Sequence, residues 1–298
     1  MAAEKPVNPW VRVFLPFAAG YYLSYLLRTV NAVIAPELTR ELTLTAADLG
    51  LLTSAYLLAF AAFQIPLGLL LDRYGPRRVE AGLLLVAAAG TLLFAIGRSP
   101  FELTVARGLI GLGVSSCLMA AFKGFAQNFP AERQASLTGA IMASGGLGAL
   151  TASLPLEFAL PLLGWRGVFQ GLTFLLLAVA ALIFFSVPQR EAGVSRDSLG
   201  AQLKDVGGIL AHRVFWRFAP PMALVTRGYL EVQGLWAVPW LMNVENLSRH
   251  QAAEVLFALN LAMLLSHLGI ATFAVRLARA GITPSALLLG GYGLALAS

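Results

Sequence analysis

Charged residues make up only 12% of this 298-residue chain, against 58% hydrophobic. A soluble domain carries about 25% charge, so a water-soluble globule is excluded. There is one cysteine, Cys117, and it sits in an apolar run. That rules out a disulfide framework and a thiolate metal site and leaves packing as its role. Histidine is nearly absent as well: His212 and His250 fall in loops and His267 stands alone in an apolar segment. No His-Glu-x-x-His occurs, and Met142 stands where a Gly-x-Ser-Gly pattern ending at Ser144-Gly145 would need glycine. The parts of an intramembrane protease are missing, and neither an enzyme, a metal site nor a cofactor is expected. Acids are fewer than bases, giving a net charge of +6. In a soluble protein that excess would suggest nucleic acid, but in an apolar chain the bases must first be sorted by side of the membrane.

What the chain does have is apolar runs of spanning length. Breaks between them predict helices near residues 11–36, 47–71, 79–97, 101–124, 134–157, 165–187, 215–243, 252–276 and 284–298, the last reaching the final residue. About 20 apolar residues cross the hydrocarbon core. With the N-terminus in the cytoplasm, fourteen of the 21 bases fall inside, Arg40, Arg98, Arg166 and Arg249 fall outside, and Arg28, Arg107 and Arg227 lie within spans. That asymmetry predicts a multi-pass protein of the cytoplasmic (inner) membrane with a cytoplasmic N-terminus, and it removes the nucleic-acid reading. The first segment is too long for a signal-peptide core and has no small-residue cleavage pattern, so it is expected to stay as a helix.

At the end of the uncharged run Leu49 to Leu71, and before the run Ala81 to Gly97, stands Gly68-Leu-Leu-Leu-Asp72-Arg73-Tyr-Gly75-Pro-Arg77-Arg78. Its physics is plain. Gly75 permits a tight turn, Asp72 can cap or pair at a helix end, and the three arginines hold the loop in the cytoplasm. The spacing G-x-x-x-D-R-x-G-x-R-R resembles the signature loop joining the second and third helices of the major facilitator superfamily of secondary transporters. That resemblance implies an all-α polytopic fold of two six-helix bundles around a central cavity. Gly68, Asp72, Arg73, Gly75, Arg77 and Arg78 would then form a gate that braces against a helix of the second half.

A charge at bilayer depth is costly unless it faces a partner or a wet cavity, so such residues are functional candidates. Four qualify: Arg28, Arg107, Arg227 and Glu231. Arg28 follows Tyr21, Tyr22 and Tyr25 and precedes Asn31. The stretch resembles the first helix of organophosphate:phosphate antiporters, which implies that Arg28 binds the substrate anion. A guanidinium offers a rigid fork to an oxyanion and stays charged when desolvated; the competing reading is an arginine that snorkels or pairs with a carboxylate. The same resemblance implies a second cavity arginine in helix 7, the repeat partner of helix 1, for which Arg227 is the candidate, with Tyr25, Asn31, Gln233 and Trp236 expected to line the substrate site. Arg227 and Glu231 are spaced i, i+4, so they either neutralise each other or Glu231 takes up a proton as coupling group. Arg107 opens Arg107-Gly108-Leu-Ile-Gly111-Leu-Gly113, which resembles the superfamily's helix 4 motif and implies a role in proton coupling or gate stability. The glycines let helices approach closely. Ser144-Gly-Gly-Leu-Gly148 reads the same way and lacks the glycine-proline pair of drug:proton antiporters.

The long polar stretch Pro188 to Arg217 divides six helices from three, and Leu199 to Leu210 could lie along the membrane surface. The expected organisation is a six-helix bundle over 1–187, a cytoplasmic loop over 188–214 and a partial second bundle over 215–298. Two short matches support a repeated half: Ala35-Pro36-Glu-Leu38 with Val238-Pro239-Trp-Leu241, and Arg73-Tyr-Gly75 with Arg279-Ala-Gly281, at offsets of 203 and 206. Such a fold needs about twelve helices by that resemblance, so the chain reads as a C-terminally truncated one. The expected function is secondary transport of a small organic or phosphate-like anion by alternating access, driven by protons or a counter-anion. The alternatives are proton-coupled efflux of a hydrophobic or cationic solute and a transporter-like ligand sensor.

Overall fold

The computed structural model describes residues 8–152, 154–189, 207–231, 240–241 and 244–281, and every regular element among them is helical. A π-helical turn, Trp10–Phe14, leads into α1 (Leu15–Leu42). There follow α2 (Ala46–Ala62), α3 (Gln64–Ile96), α4 (Pro100–Val114), α5 (Cys117–Asn128), α6 (Gln134–Thr151) and α7 (Leu154–Ser186), then α8 (Arg213–Glu231) and α9 (Arg249–Arg279). Gln64–Ile96, Pro100–Asn128 and Phe158–Ser186 are long and apolar enough to cross a membrane. The predicted final helix at 284–298 and residues 199–206 of the surface segment lie outside the described residues; 207–211 is helical.

The element boundaries follow local chemistry. Thr45 and Ser99 each form a capping box, with Asp48 and Glu102 closing it. At Gly75 the backbone turns to φ 77°, ψ 162°, so α3 is two helical stretches joined at the predicted hairpin; an L-residue with a Cβ rarely adopts this conformation. Gly281, its partner in the proposed repeat, has φ 79°. Gly164 breaks α7 in the same way, at φ 64°.

Two predicted spans are interrupted. The segment predicted as 47–71 is divided at Phe63, because Pro66 has no amide hydrogen to give the Ala62 carbonyl. The segment predicted as 101–124 is divided at Ser115 and Ser116. There the Ser115 hydroxyl donates to the Leu112 carbonyl at 2.7 Å, competing with the helix ladder.

The chain forms two compact units, Met1–Glu191 with Leu264–Ser298, and Ala192–Met263. In the first, α3 packs on α4 and α7, α2 on α4, and α1 on α6 and α7. One buried apolar cluster runs from Val13 to Val187. The outside is equally apolar: Leu162 is 85% exposed and Phe185 79%. A protein apolar inside and out is built for lipid. In the second unit, α8 contains Pro220 and Pro221, and the Trp216 indole donates to the Leu210 carbonyl at 2.7 Å.

At one end of the first unit the Trp165 indole donates to Glu41 at 2.6 Å, and Arg166 donates to Glu41 through Nε at 3.2 Å and Nη2 at 3.0 Å. Nη1 of Arg166 also donates to the carbonyls of Ala95 and Gly97, at 2.9 and 2.8 Å. The indole bond, then the guanidinium, hold the Glu41 carboxyl below its ordinary range. One side chain thus ties the ends of α1 and α3 to α7 just past its break at Gly164. Arg166→Ala is expected to lower stability by about 1–2 kcal/mol, discounted because the pair is partly exposed, read as a fall in Tm in detergent. Because the folded carboxyl is the stronger acid, the Glu41 contribution is present at neutral pH and fades as pH falls through the acidic range, so the wild-type advantage over Arg166→Ala narrows there.

Candidate anion site

The middle of α1 is polar. Tyr21, Tyr22, Ser24, Tyr25, Arg28 and Asn31 fall within eleven residues, and most are fastened to neighbours. The Tyr22 hydroxyl donates to Thr151 Oγ1 at 2.9 Å, Tyr21 stacks edge-on to Tyr25 at 5.1 Å, and Ser24 Oγ donates to the Val114 carbonyl at 3.4 Å. Asn31 donates through Nδ2 to Thr53 Oγ1 on α2 at 3.5 Å, and its side-chain Oδ1 is buried without a partner.

Arg28 is half-buried, and its guanidinium stands over the rings of Tyr25 and of Phe60 on α2, at 4.9 and 5.2 Å. Its Nε is enclosed without a hydrogen-bond partner. Among the described residues two ion pairs form, Lys123 with Asp72 and Arg166 with Glu41, so no carboxylate neutralises Arg28 there. The reading in which Arg28 pairs with a carboxylate finds no partner among them.

Arg107 is 1% exposed, and its Nη1 donates to the Leu27 carbonyl at 2.9 Å. Its guanidinium lies 4.5 Å over the ring of Tyr56. Tyr56 is itself buried, with a hydroxyl that has no hydrogen-bond partner. Arg107 therefore holds the turn of α1 that carries Arg28, and Tyr56 completes an aromatic wall with Tyr25 and Phe60. Two cations and three aromatic rings share this region, with no acid paired to either arginine among the described residues.

At the Gly75 turn, Asp72 pairs with Lys123 of α5. Together with Gln64, Leu67, Gly68, Leu71 and Met119 they line a cleft of about 260 Å³. Arg77 stacks on Phe184 at 4.8 Å and Arg73 on Tyr74 at 5.4 Å, while Arg78 is exposed. The backbone of Arg227 and Glu231 lies at the end of α8; their side chains, and Gln233 and Trp236 altogether, lie outside the described residues.

Four residues of this region were not singled out by sequence reasoning: Tyr56, Phe60, Lys123 and Glu80. Tyr56 and Phe60 are spaced i, i+4 in an uncharged run, where aromatics read as packing. Lys123 reads as one more inside base. Glu80 directly follows Arg77-Arg78-Val79 and reads as the end of the loop, yet it is 0% exposed. Counting one helical turn on from Pro76 would have placed it inside the bundle.

Every regular element among the described residues is helical, three stretches are long and apolar enough to cross a membrane, and Arg28 and Arg107 make no ion pair among the described residues. The chain belongs to the Major Facilitator Superfamily, whose sequence profile matches residues 17–298. It is 28% identical over 221 residues to the hexuronate transporter of Escherichia coli strain K12, covering 69% of this chain and 51% of that protein. It is likewise 28% identical over 182 residues to a probable sulfoacetate transporter of Cupriavidus necator, covering 60% and 42%. To the galacturonate transporter of Dickeya chrysanthemi it is 26% identical over 224 residues, covering 69% and 64%. The chain thus spans about half the length of the hexuronate transporter. The family and these relatives are transporters, not enzymes, and the chain is a multi-pass membrane protein.

Proposed function

We propose that this protein moves a small organic anion across the membrane by alternating access, with Arg28 as the anion's ligand. The observation that carries this reading is a half-buried guanidinium in the middle of α1 that no carboxylate neutralises among the described residues. A cation at membrane depth calls for a counter-charge, and a transported anion supplies it. Tyr25, Phe60 and Tyr56 give the walls, and Asn31 offers a polar group one turn further on. Arg107 acts on the anion indirectly, through the Leu27 carbonyl. Hexuronate, galacturonate and sulfoacetate, named for the relatives above, all carry a carboxylate at neutral pH, which favours a carboxylate over a phosphate ester.

Arg227, Gln233 and Trp236 are the proposed second-half contribution, with Glu231 beside them. The turn from Gly68 to Arg78 is the proposed gate, opening as the Asp72–Lys123 contact is exchanged for one with the second half. The arrangement over 1–187, 188–214 and 215–298, the inner membrane and a cytoplasmic N-terminus belong to the same proposal.

The test is uptake of labelled galacturonate into proteoliposomes, with unlabelled galacturonate, sulfoacetate, glycerol 3-phosphate, neutral galactose and a hydrophobic cation as competitors. Competition by the two carboxylates alone supports the reading. Competition by glycerol 3-phosphate would move it to phosphate esters, competition by the cation to the efflux alternative, and saturable binding without accumulation to a sensor.

A further inference from the structure

Glu80 lies on α3 one turn beyond Gly75, fully buried, with neither carboxyl oxygen hydrogen-bonded. Its carboxyl is lodged against the backbone of α1: a Cβ placed on Gly20 would sit 2.3 Å from Glu80 Oε1 and 3.7 Å from Ile183 of α7. The buried, free Cys117 thiol of α5 is near it, without a hydrogen bond to either carboxyl oxygen. No cation ion-pairs with it among the described residues; Arg77 on its own helix stacks on Phe184 instead, and α1 and α7 meet it through Gly20 and Ile183. An ionised carboxylate in such a dry, unpaired place costs several kcal/mol, a cost that binding a proton removes.

Gly20 and Arg28 are eight residues apart on one helix, about 12 Å along its axis. We infer that Glu80 is the proton carrier of this transporter: it holds a proton while α1 packs on it and gives the proton to water when α1 shifts, so that the anion on Arg28 travels with one proton. The inference rests on the anion reading above. The balance is simple: one proton is taken from water on one side and released on the other, and with a monovalent carboxylate the cycle moves no net charge.

Two measurements separate its failure from that of the anion reading. In the first, infrared spectra of the protein in lipid nanodiscs at neutral pH should contain a protonated-carboxyl C=O band that Glu80→Gln removes. Identical spectra for the two proteins would overturn the inference whatever the substrate. In the second, wild-type protein in proteoliposomes should concentrate galacturonate about tenfold for about one unit of imposed pH difference, which is the limit at one proton per anion. Glu80→Gln, a neutral stand-in for the protonated acid, should exchange galacturonate for galacturonate but concentrate it not at all, with no proton movement on a trapped pH dye. Full concentration by Glu80→Gln would sink the proton role and leave the anion site standing. Absence of galacturonate and sulfoacetate exchange in the wild type would sink the anion site, and with it the claim that the Glu80 proton drives transport, while the infrared band would still report that proton.

Discussion

Arg28→Ala is expected to abolish measurable galacturonate exchange, lowering affinity by about 30- to 1000-fold, as when one partner of a desolvated charge pair is removed. The reason is that other cations of the first unit have partners of their own. Lys123 is engaged by Asp72 and Arg166 by Glu41, while Arg107 is held by the Leu27 carbonyl and the Tyr56 ring. Arg28→Lys separates charge from shape. The ammonium keeps the charge but loses the planar fork and the stacking on Tyr25 and Phe60, so a further expected result is about a tenfold loss of affinity rather than abolition. Equal exchange by wild type and Arg28→Ala, at equal amounts in the membrane, would remove Arg28 from the site. Thermal stability is the control: Arg28→Ala removes an unneutralised cation and should not lower Tm.

The second large effect concerns folding. In the Arg107-Gly108-Leu-Ile-Gly111 run two glycines look alike in sequence and differ in surroundings. A Cβ on Gly111 would lie 2.2 Å from the Tyr56 carbonyl oxygen and 3.0 Å from its Cα, both backbone atoms that cannot swing aside. A Cβ on Gly108 would meet nothing within 4 Å. Gly111→Ala should therefore push α4 off α2, costing about 3 kcal/mol, at the upper end for overpacking, with a fall in Tm and loss of the Tyr56–Arg107 contact. Gly108→Ala should be neutral or stabilising by up to about 1 kcal/mol, since alanine favours helix over glycine. Equal Tm values for the two variants would show that the approach of α4 to α2 is not what holds this part of the bundle. Because Tyr56 is also the ring on which Arg107 rests, Gly111→Ala should in addition weaken anion exchange, whereas Gly108→Ala should not.

The two variants also mark how far the sequence could be read. Spacing alone identified both glycines as small residues at a helix interface, but which one touches a neighbour depends on the rotation of α4 against α2. The same holds for charge. Arg28 and Arg107 stood out because an arginine in an apolar run is conspicuous wherever the helix turns. Glu80 did not, because two residues beyond the last arginine of a basic loop an acid looks solvated; only the approach of α1 at Gly20 makes it dry. Lys123 joined Asp72 across 51 residues, a distance over which sequence gives no register.

The amino-acid sequence by itself determined the solvent, the helical class, the turn at Gly75 and the presence of cations at membrane depth. These follow from local rules: backbone groups in lipid must bond within their own segment, glycine admits a positive φ, and an apolar run has only its length to declare. The tertiary structure alone decided which face of each helix is buried, and hence that Arg28 is unneutralised among the described residues, that Arg107 donates to the Leu27 carbonyl, and that Glu80 lies against α1. Those are relations between helices, set by how side chains from separate segments interlock, and no single segment contains them.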